Sequence, residues 1–166
     1  MRKGLRRALE VDAPELARIH AEALPPGWDA ADFRPYITAG GNRLCCVAAN
    51  GGRMTGFVIA QAAGSEAEIL SIAVASAARR RGFGRLLMME AIDWARVEHA
   101  ATTVYLEVAE GNSGARAFYA LLGFTLFARR EHYYQLHRDR PEAALVMRLT
   151  LQENTGPYSG AGHGER

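Results

Sequence analysis

The stretch that most constrains this chain is Ser71 to Leu87, SIAVASAARRRGFGRLL. It predicts a short apolar strand, Ile69 to Val74, then a small-residue turn and a basic loop with two glycines that opens onto a helix. Glycine removes Cβ where a backbone must come close to something. A helix start leaves free N–H groups and the positive end of a dipole. Arg79, Arg80 and Arg81 stand at the mouth of the loop, and Arg85 follows inside the helix. Together these features predict an anion cradle for a phosphate or pyrophosphate.

With 166 residues the chain has room for one domain whose core needs no metal or disulfide. Apolar residues make up 49% and charged residues 23%, which excludes a disordered or fibrous class. A net charge of +2 carries no argument for nucleic acid, so the arginines count because they cluster. Cys45 and Cys46 are adjacent, so in a strand they point to opposite faces and suit neither a disulfide framework nor a zinc site. No metal site is expected. No apolar run approaches the ~20 residues of a membrane span, and the basic start lacks the apolar stretch of a signal peptide. A cytoplasmic, reduced protein is the expectation.

In chain order, Gly4 to Glu10 predicts a first strand, and Asp12 an N-cap with Pro14 and Glu15 behind it. Leu16, Ile19, His20, Ala23 and Leu24 recur at helical spacing, with His20 as a packing residue. Trp28 to Phe33 suggests a short second helix, and Trp28 either lids the core or walls a pocket. Leu44–Ala49 and Met54–Ala62 predict a hairpin through Asn50-Gly51-Gly52. Glu66–Val74 is the next strand. From Arg85 to about His99 the pattern is helical, with Leu87, Met88, Ala91, Ile92, Trp94 and Ala95 on one face. Thr102–Val108 is a strand whose alternation sets Val104, Leu106 and Val108 against Thr103, Tyr105 and Glu107. Asn112 predicts the N-cap of a helix presenting Ala115, Phe118, Tyr119 and Leu122, which Gly123 ends. Phe124–Arg130 and Ala143–Leu151 predict a last pair of strands joined by EHYYQLHRDRPE. Residues 1–151 thus form a single domain, and the glycine-rich 152–166 a flexible tail.

Neither a P-loop nor a dinucleotide fingerprint matches, since no Lys-Ser/Thr follows the glycines and their spacing is only Gly82-x-Gly84. A nucleic-acid face would spread its basic residues beside stacking aromatics, whereas these sit in one turn. Arg79-x-x-Gly82-x-Gly84 after a strand instead resembles the pyrophosphate signature (Q/R-x-x-G-x-G/A) of the GNAT superfamily of N-acetyltransferases. The downstream order of LEV, Asn112, an alanine-rich helix with Tyr119, and LLGF is similar to that family's. The segments ALPPGW, YLEVAEGNSGARAFYALLGF and RREHYY followed by EAALVMRL look most like the RimI-type ribosomal-protein alanine N-acetyltransferases.

The resemblance implies an α/β GNAT fold, a single mixed and mostly antiparallel sheet of about six to seven strands flanked by about four helices. It implies acetyl-CoA as donor and a primary amine as acceptor. By position, the backbone of Ile72, Ala73 and Val74 would pair with the pantetheine arm like an added strand. Backbone N–H groups from Arg80 through Arg81, Gly82, Phe83 and Gly84 to Arg85 would hold the pyrophosphate, and Asn112 would touch the cofactor. Glu107 matches the family's general base, and Tyr119 its general acid beside the cofactor sulphur. Tyr133 and Tyr134 match a tyrosine pair bordering the acceptor, with Trp28 and Tyr105 as further acceptor-site residues. The acceptor is expected to be a protein N-terminus of the ribosomal alanine type. A small amine, or an idle acyl-CoA-binding module, are the competing expectations, and a mere sensor needs neither Glu107 nor Tyr119.

Overall fold

Alternating apolar residues and glycine turns fold the first half of the chain into an antiparallel sheet. A computed structural model describes residues 4–38, 40–131 and 143–151. In it β1 (Leu5–Arg7), β2 (Arg43–Asn50), β3 (Arg53–Ala63) and β4 (Glu66–Val74) pair antiparallel in sequence order. The expected turn joins β2 to β3, with Asn50 opposite Arg53. Gly51 and Gly52 take φ of 58° and 79° there, angles that glycine accepts without strain. Between β1 and β2 run α1 (Ala13–Ala23) and α2 (Ala30–Thr38).

The second half returns through a helix, as a parallel neighbour requires. α3 (Phe83–His99) leads to β5 (Thr103–Ala109), which pairs parallel to β4. α4 (Ser113–Leu121), β6 (Thr125–Arg130) and β7 (Ala144–Thr150) follow. β7 inserts between β5 and β6, giving a 7-stranded sheet in the order β1-β2-β3-β4-β5-β7-β6. The sheet is mixed and mostly antiparallel, as the family resemblance implies.

Two apolar layers cover the sheet. On one face the six α3 residues expected to point inward are all buried, against Cys46, Val58, Val104 and Leu106 and alongside Tyr119 of α4. Each large buried side chain of this kind contributes about 1.5–3 kcal/mol. On the other face Leu16, Ile19 and Phe33 of α1 and α2 pack on Cys45, Val47, Phe57 and Ile59. The adjacent cysteines therefore do point to opposite layers, and burial pushes both thiols up to about 12.

Four local expectations need correction. β1 is shorter than Gly4–Glu10, because Glu10–Asp12 winds into a 3₁₀ turn. Asp12 stands at the N-cap of α1, but its carboxylate accepts from the upstream Leu9 N–H at 2.7 Å and from Arg6 at 2.6 and 2.8 Å. α2 runs through Pro35 to Thr38, well past Phe33. Asp29 caps it by accepting from the Ala31 and Asp32 N–H groups, and burial of Phe33, Tyr36 and Ile37 outweighs the bond Pro35 removes. α3 begins at Phe83 rather than Arg85.

Candidate active site

The basic loop closes on itself before it meets any ligand. Arg79 Nε donates to the Val74 carbonyl at 3.1 Å, folding the loop back onto the end of β4. Arg80 adopts φ 60°, and Gly82, the N-cap of α3, adopts φ 86°. A Cβ at Gly82 would meet nothing within 4 Å, so open space lies over the helix start. A Cβ at Gly84 would touch Phe118 and Val74 at 3.7 Å, ordinary contact. The first N–H groups of α3 have no intrahelical acceptor and carry the positive dipole end. Arg81 lies over the Phe83 ring at 5.7 Å, and Arg80 and Arg85 are exposed. The expected loop and glycine-started helix are present, with Arg80, Arg81 and Arg85 on the surface around the helix start.

Beside the loop, β4 and β5 part company. Their ladder runs only from Glu66↔Thr103 to Ile69↔Leu106. The cause is a bulge in β4: Ala60 faces Ile69, while Ile59 faces Ser71, so Leu70 is the extra residue. Beyond it, Ile72, Ala73 and Val74 pair with Val58, Phe57 and Gly56 on the β3 side and have no β5 partner. Gly56 makes the bend possible, because a Cβ there would sit 2.6 Å from the Ala73 carbonyl oxygen. Ser71, 7% exposed, has a buried hydroxyl without a partner among the described residues. The result is a fork with one unladdered strand edge and an orphaned polar group at its apex.

Glu107 sits on the β5 arm of the fork. It is 21% exposed and accepts from Arg130 Nη1 at 2.6 Å, a charge-assisted bond tying β5 to β6. Tyr105, on the same face, packs edge-on against Phe127, and its hydroxyl donates to Glu66 at the long distance of 3.4 Å. Glu68 stands opposite Tyr105 in the parallel register. Although Glu68 is exposed as a residue, partial enclosure of its carboxyl and the charge of Glu107 raise its pKa, partly offset by Arg130. On the other face, Tyr119 is 8% exposed in the α4 layer between Phe118 and Phe124. Asn112 caps α4, its Oδ1 accepting from the Ala115 N–H at 3.1 Å. The carboxylate thus stands at the fork, and the phenol lies in the apolar layer on the other face of the sheet.

Of the residues singled out in the sequence, the loop follows the β4 arm of the fork and Glu107 follows the last rung on the β5 arm, while Asn112 caps α4 and Tyr119 lies in the apolar layer under it. Trp28 covers the second apolar layer, stacked on His20 at 5.1 Å and Tyr36 at 5.7 Å. His20 does pack, but it also accepts from the Trp28 N–H through Nδ1 at 3.0 Å. Tyr133, Tyr134 and the 152–166 tail lie outside the described residues. Arg130, Glu68, Ser71 and Gly56 went unnoticed. The one signal was the adjacent pair Ile69-Leu70, which breaks the alternation of β4 where the bulge falls. Arg129 was also missed; it clamps Glu110 through Nε and Nη2 at 2.9 and 2.8 Å and pairs with Glu131.

The site is thus a parallel strand–helix–strand unit with a glycine-started helix and a fork beside it. The acetyltransferase (GNAT) family model matches residues 13–124, and the chain belongs to that family. It is 36% identical over 100 residues to the [ribosomal protein bS18]-alanine N-acetyltransferase of Escherichia coli strain K12. That match covers 60% of this chain and 66% of the relative, just under two thirds of its length. The N-alpha-acetyltransferase RimI of Mycobacterium tuberculosis is 31% identical over 131 residues, covering 75% of this chain and 80% of the relative. Among solved structures, the ribosomal-protein-S18-alanine N-acetyltransferase of E. coli superposes with a TM-score of 0.79 at 29% identity, over 98% of this chain and 97% of that one. A Bacillus anthracis putative streptothricin acetyltransferase in complex with acetyl coenzyme A superposes at 0.65 with 26% identity, over 72% and 68% of the two chains.

Proposed function

We propose that this protein transfers the acetyl group of acetyl-CoA to a primary amine, the N-terminal α-amine of a protein with alanine first, ribosomal proteins being the leading class. The observation that carries the reading is the fork between β4 and β5, with Glu107 on one arm and a glycine-started helix at its base. The chain's own groups fit the donor. The unladdered edge of Ile72–Val74 suits an extended amide-bearing arm, and the orphaned Ser71 hydroxyl awaits a polar partner. Open space over Gly82 leaves the backbone N–H groups of Arg80 to Arg85 for a pyrophosphate. Acetyl-CoA supplies an activated thioester carbonyl. Asn112 borders the same site from the start of α4.

Glu107 acts as base toward the attacking nitrogen, and Tyr119 hydrogen-bonds the departing sulphur as acid. An α-amine with a pKa near 8 is about one-tenth neutral at pH 7, whereas a lysine near 10.4 needs far more help. A single carboxylate therefore suits an N-terminus better than a lysine side chain. A phenol near 10 gives its proton to a thiolate near 8.5 only uphill, by about 2 kcal/mol, so Tyr119 contributes modestly. Trp28, Tyr105, Tyr133 and Tyr134 are assigned to the acceptor side. The bacterial cytoplasm, where both ribosomal proteins and acetyl-CoA occur, is the fitting location.

Incubation with acetyl-CoA and an Ala-initiated ribosomal-protein peptide, followed by thiol release and peptide mass, tests this reading. A gain of one acetyl at the α-amine is expected. Transfer only to members of a small-amine panel would replace the protein acceptor by a small one. Binding of acetyl-CoA without transfer to any amine would make the chain a non-catalytic module.

A further inference from the structure

The basic loop has to be held at its upstream end as well as by its glycines. Between β4 and the loop, Ser76–Ala78 wind one 3₁₀ turn. Its entry is fixed from β3, where the Ala75 N–H donates to the Thr55 carbonyl at 3.0 Å. Its exit closes from within, the Ala78 and Arg79 N–H groups donating to the Ala75 and Ser76 carbonyls at 2.8 and 3.2 Å. The Arg79 side chain spans the same turn to the Val74 carbonyl at 3.1 Å. The first N–H of such a turn, that of Ser76, has no acceptor inside it, and Ala75 at the N-cap has no side-chain oxygen to offer.

The acceptor comes from 54 residues upstream, where Glu22 takes the Ser76 N–H on Oε1 at 2.8 Å. Glu22 lies in the last turn of α1. Its other oxygen, Oε2, accepts from Arg18 Nη1 at 3.1 Å, and Arg18 is itself held by Glu15 through Nε and Nη2 at 2.9 and 2.8 Å. The Ser76 hydroxyl and N–H, with Arg18 behind them, keep the Glu22 carboxyl below the usual carboxylate range, so it is ionised wherever an amine reacts. Ala23 and Ala75 both pack on the second apolar layer, which brings α1 to this end of β4. Apolar contact is non-directional, whereas a hydrogen bond to a backbone N–H sets an orientation.

We propose that Glu22 is a positioning residue for the donor, setting from α1 the turn that aims the loop's backbone N–H groups at the pyrophosphate of acetyl-CoA. This rests on the reading that the loop after β4 holds that pyrophosphate. Only Arg79, Arg80 and Arg81 lie between the turn and Gly82, so a tilt of the turn is passed to the start of α3. Glu22 acts through Ser76 alone. It therefore matters to the pyrophosphate end of the donor and not to the thioester.

The test compares wild type, Glu22→Gln and Glu22→Ala with two donors, acetyl-CoA and acetyl-pantetheine, which shares the thioester and amide arm but has no pyrophosphate. Affinity is read by calorimetry without an acceptor, transfer with the Ala-initiated peptide or the small-amine panel, and Tm controls for folding. Glu22→Ala is expected to weaken acetyl-CoA about 10-fold in Kd and KM alike, with kcat at saturating donor within about twofold of wild type. Glu22→Gln keeps an oxygen for the Ser76 N–H and should fall between the other two. Neither variant should change the response to acetyl-pantetheine. Unchanged acetyl-CoA affinity in Glu22→Ala overturns the proposal. So does an equal loss with both donors, which would mean that Glu22 only holds the fold. A wild type that binds acetyl-CoA no more tightly than acetyl-pantetheine takes the pyrophosphate out of the loop and overturns both readings. Transfer to no amine, with the donor-selective loss intact, would remove the proposed acceptor and leave the role of Glu22 standing.

Discussion

Arg130 Nη1 lies 2.6 Å from Glu107 Oε1, so β6 reaches across β7 to hold the carboxylate that stands on the β5 arm of the fork. That bond engages one oxygen, and in the proposed function the other faces the incoming nitrogen. Replacing the carboxylate by an isosteric amide removes the proton acceptor with little change of shape. Glu107→Gln is expected to lower turnover by about 10²-fold or more, and Tyr119→Phe by less, since the phenol only assists a leaving thiolate. Steady-state kinetics that place Tyr119→Phe as the more damaging change would reverse the two roles.

Gly82 and Gly84 sit in one motif but do different work. Gly82 holds φ 86° at the start of α3, where an L side chain costs about 1–2 kcal/mol and its Cβ would project into the open space above the helix. Gly84 lies inside α3, where a Cβ meets only ordinary contacts at 3.7 Å and alanine gains up to about 1 kcal/mol of helix propensity. Gly82→Ala should therefore lower Tm and raise the KM for acetyl-CoA. Gly84→Ala should hold or raise Tm and leave that KM within about twofold. Thermal unfolding and donor titrations on both variants decide it, and equal behaviour would refute the division.

Much of this was legible because burial is periodic. The α3 face and the β5 alternation followed directly from residue spacing, and both are realised residue for residue in the apolar layers. What spacing could not show was departure from the period. The bulge at Leu70 changes which residues share a face midway along β4, and the length of α2 depends on Phe33, Tyr36 and Ile37 meeting a sheet formed later in the chain. Likewise Glu68 and Arg130 are 62 residues apart and meet only through the strand order β4-β5-β7-β6. Residues matched to a motif were found, and residues joined by topology were not.

Gly56 illustrates such a topological requirement. A Cβ there would be 2.6 Å from the backbone oxygen of Ala73 and 3.2 Å from Leu87. Neither β4 nor α3 can retreat without disturbing the fork. Gly56→Ala is expected to destabilise the protein by about 1–3 kcal/mol, as overpacking does, and to weaken acetyl-CoA binding. Urea unfolding and donor affinity measured together check it. A variant as stable as wild type would show that β3 and β4 can separate freely here.

His20 gives the fold a dependence on acid. The residue is buried between Trp28 and Phe57, and its Nδ1 accepts the Trp28 N–H, so the imidazole is held neutral. Burial lowers its pKa below the ordinary value of 6.5. The unfolded chain then binds a proton more readily than the folded one. Stability is complete above about pH 6.5 and falls as the pH drops below it, toward the lowered folded value. The slope for one such group approaches about 1.4 kcal/mol per pH unit. His20→Gln keeps an acceptor for the Trp28 N–H but cannot titrate. It should be less stable than wild type at pH 7.5 and should lack the added loss between pH 6.5 and 5.5. Urea unfolding at those three pH values, followed by tryptophan fluorescence, gives the comparison. Parallel pH slopes for the two proteins would show that His20 is protonated in the fold without penalty.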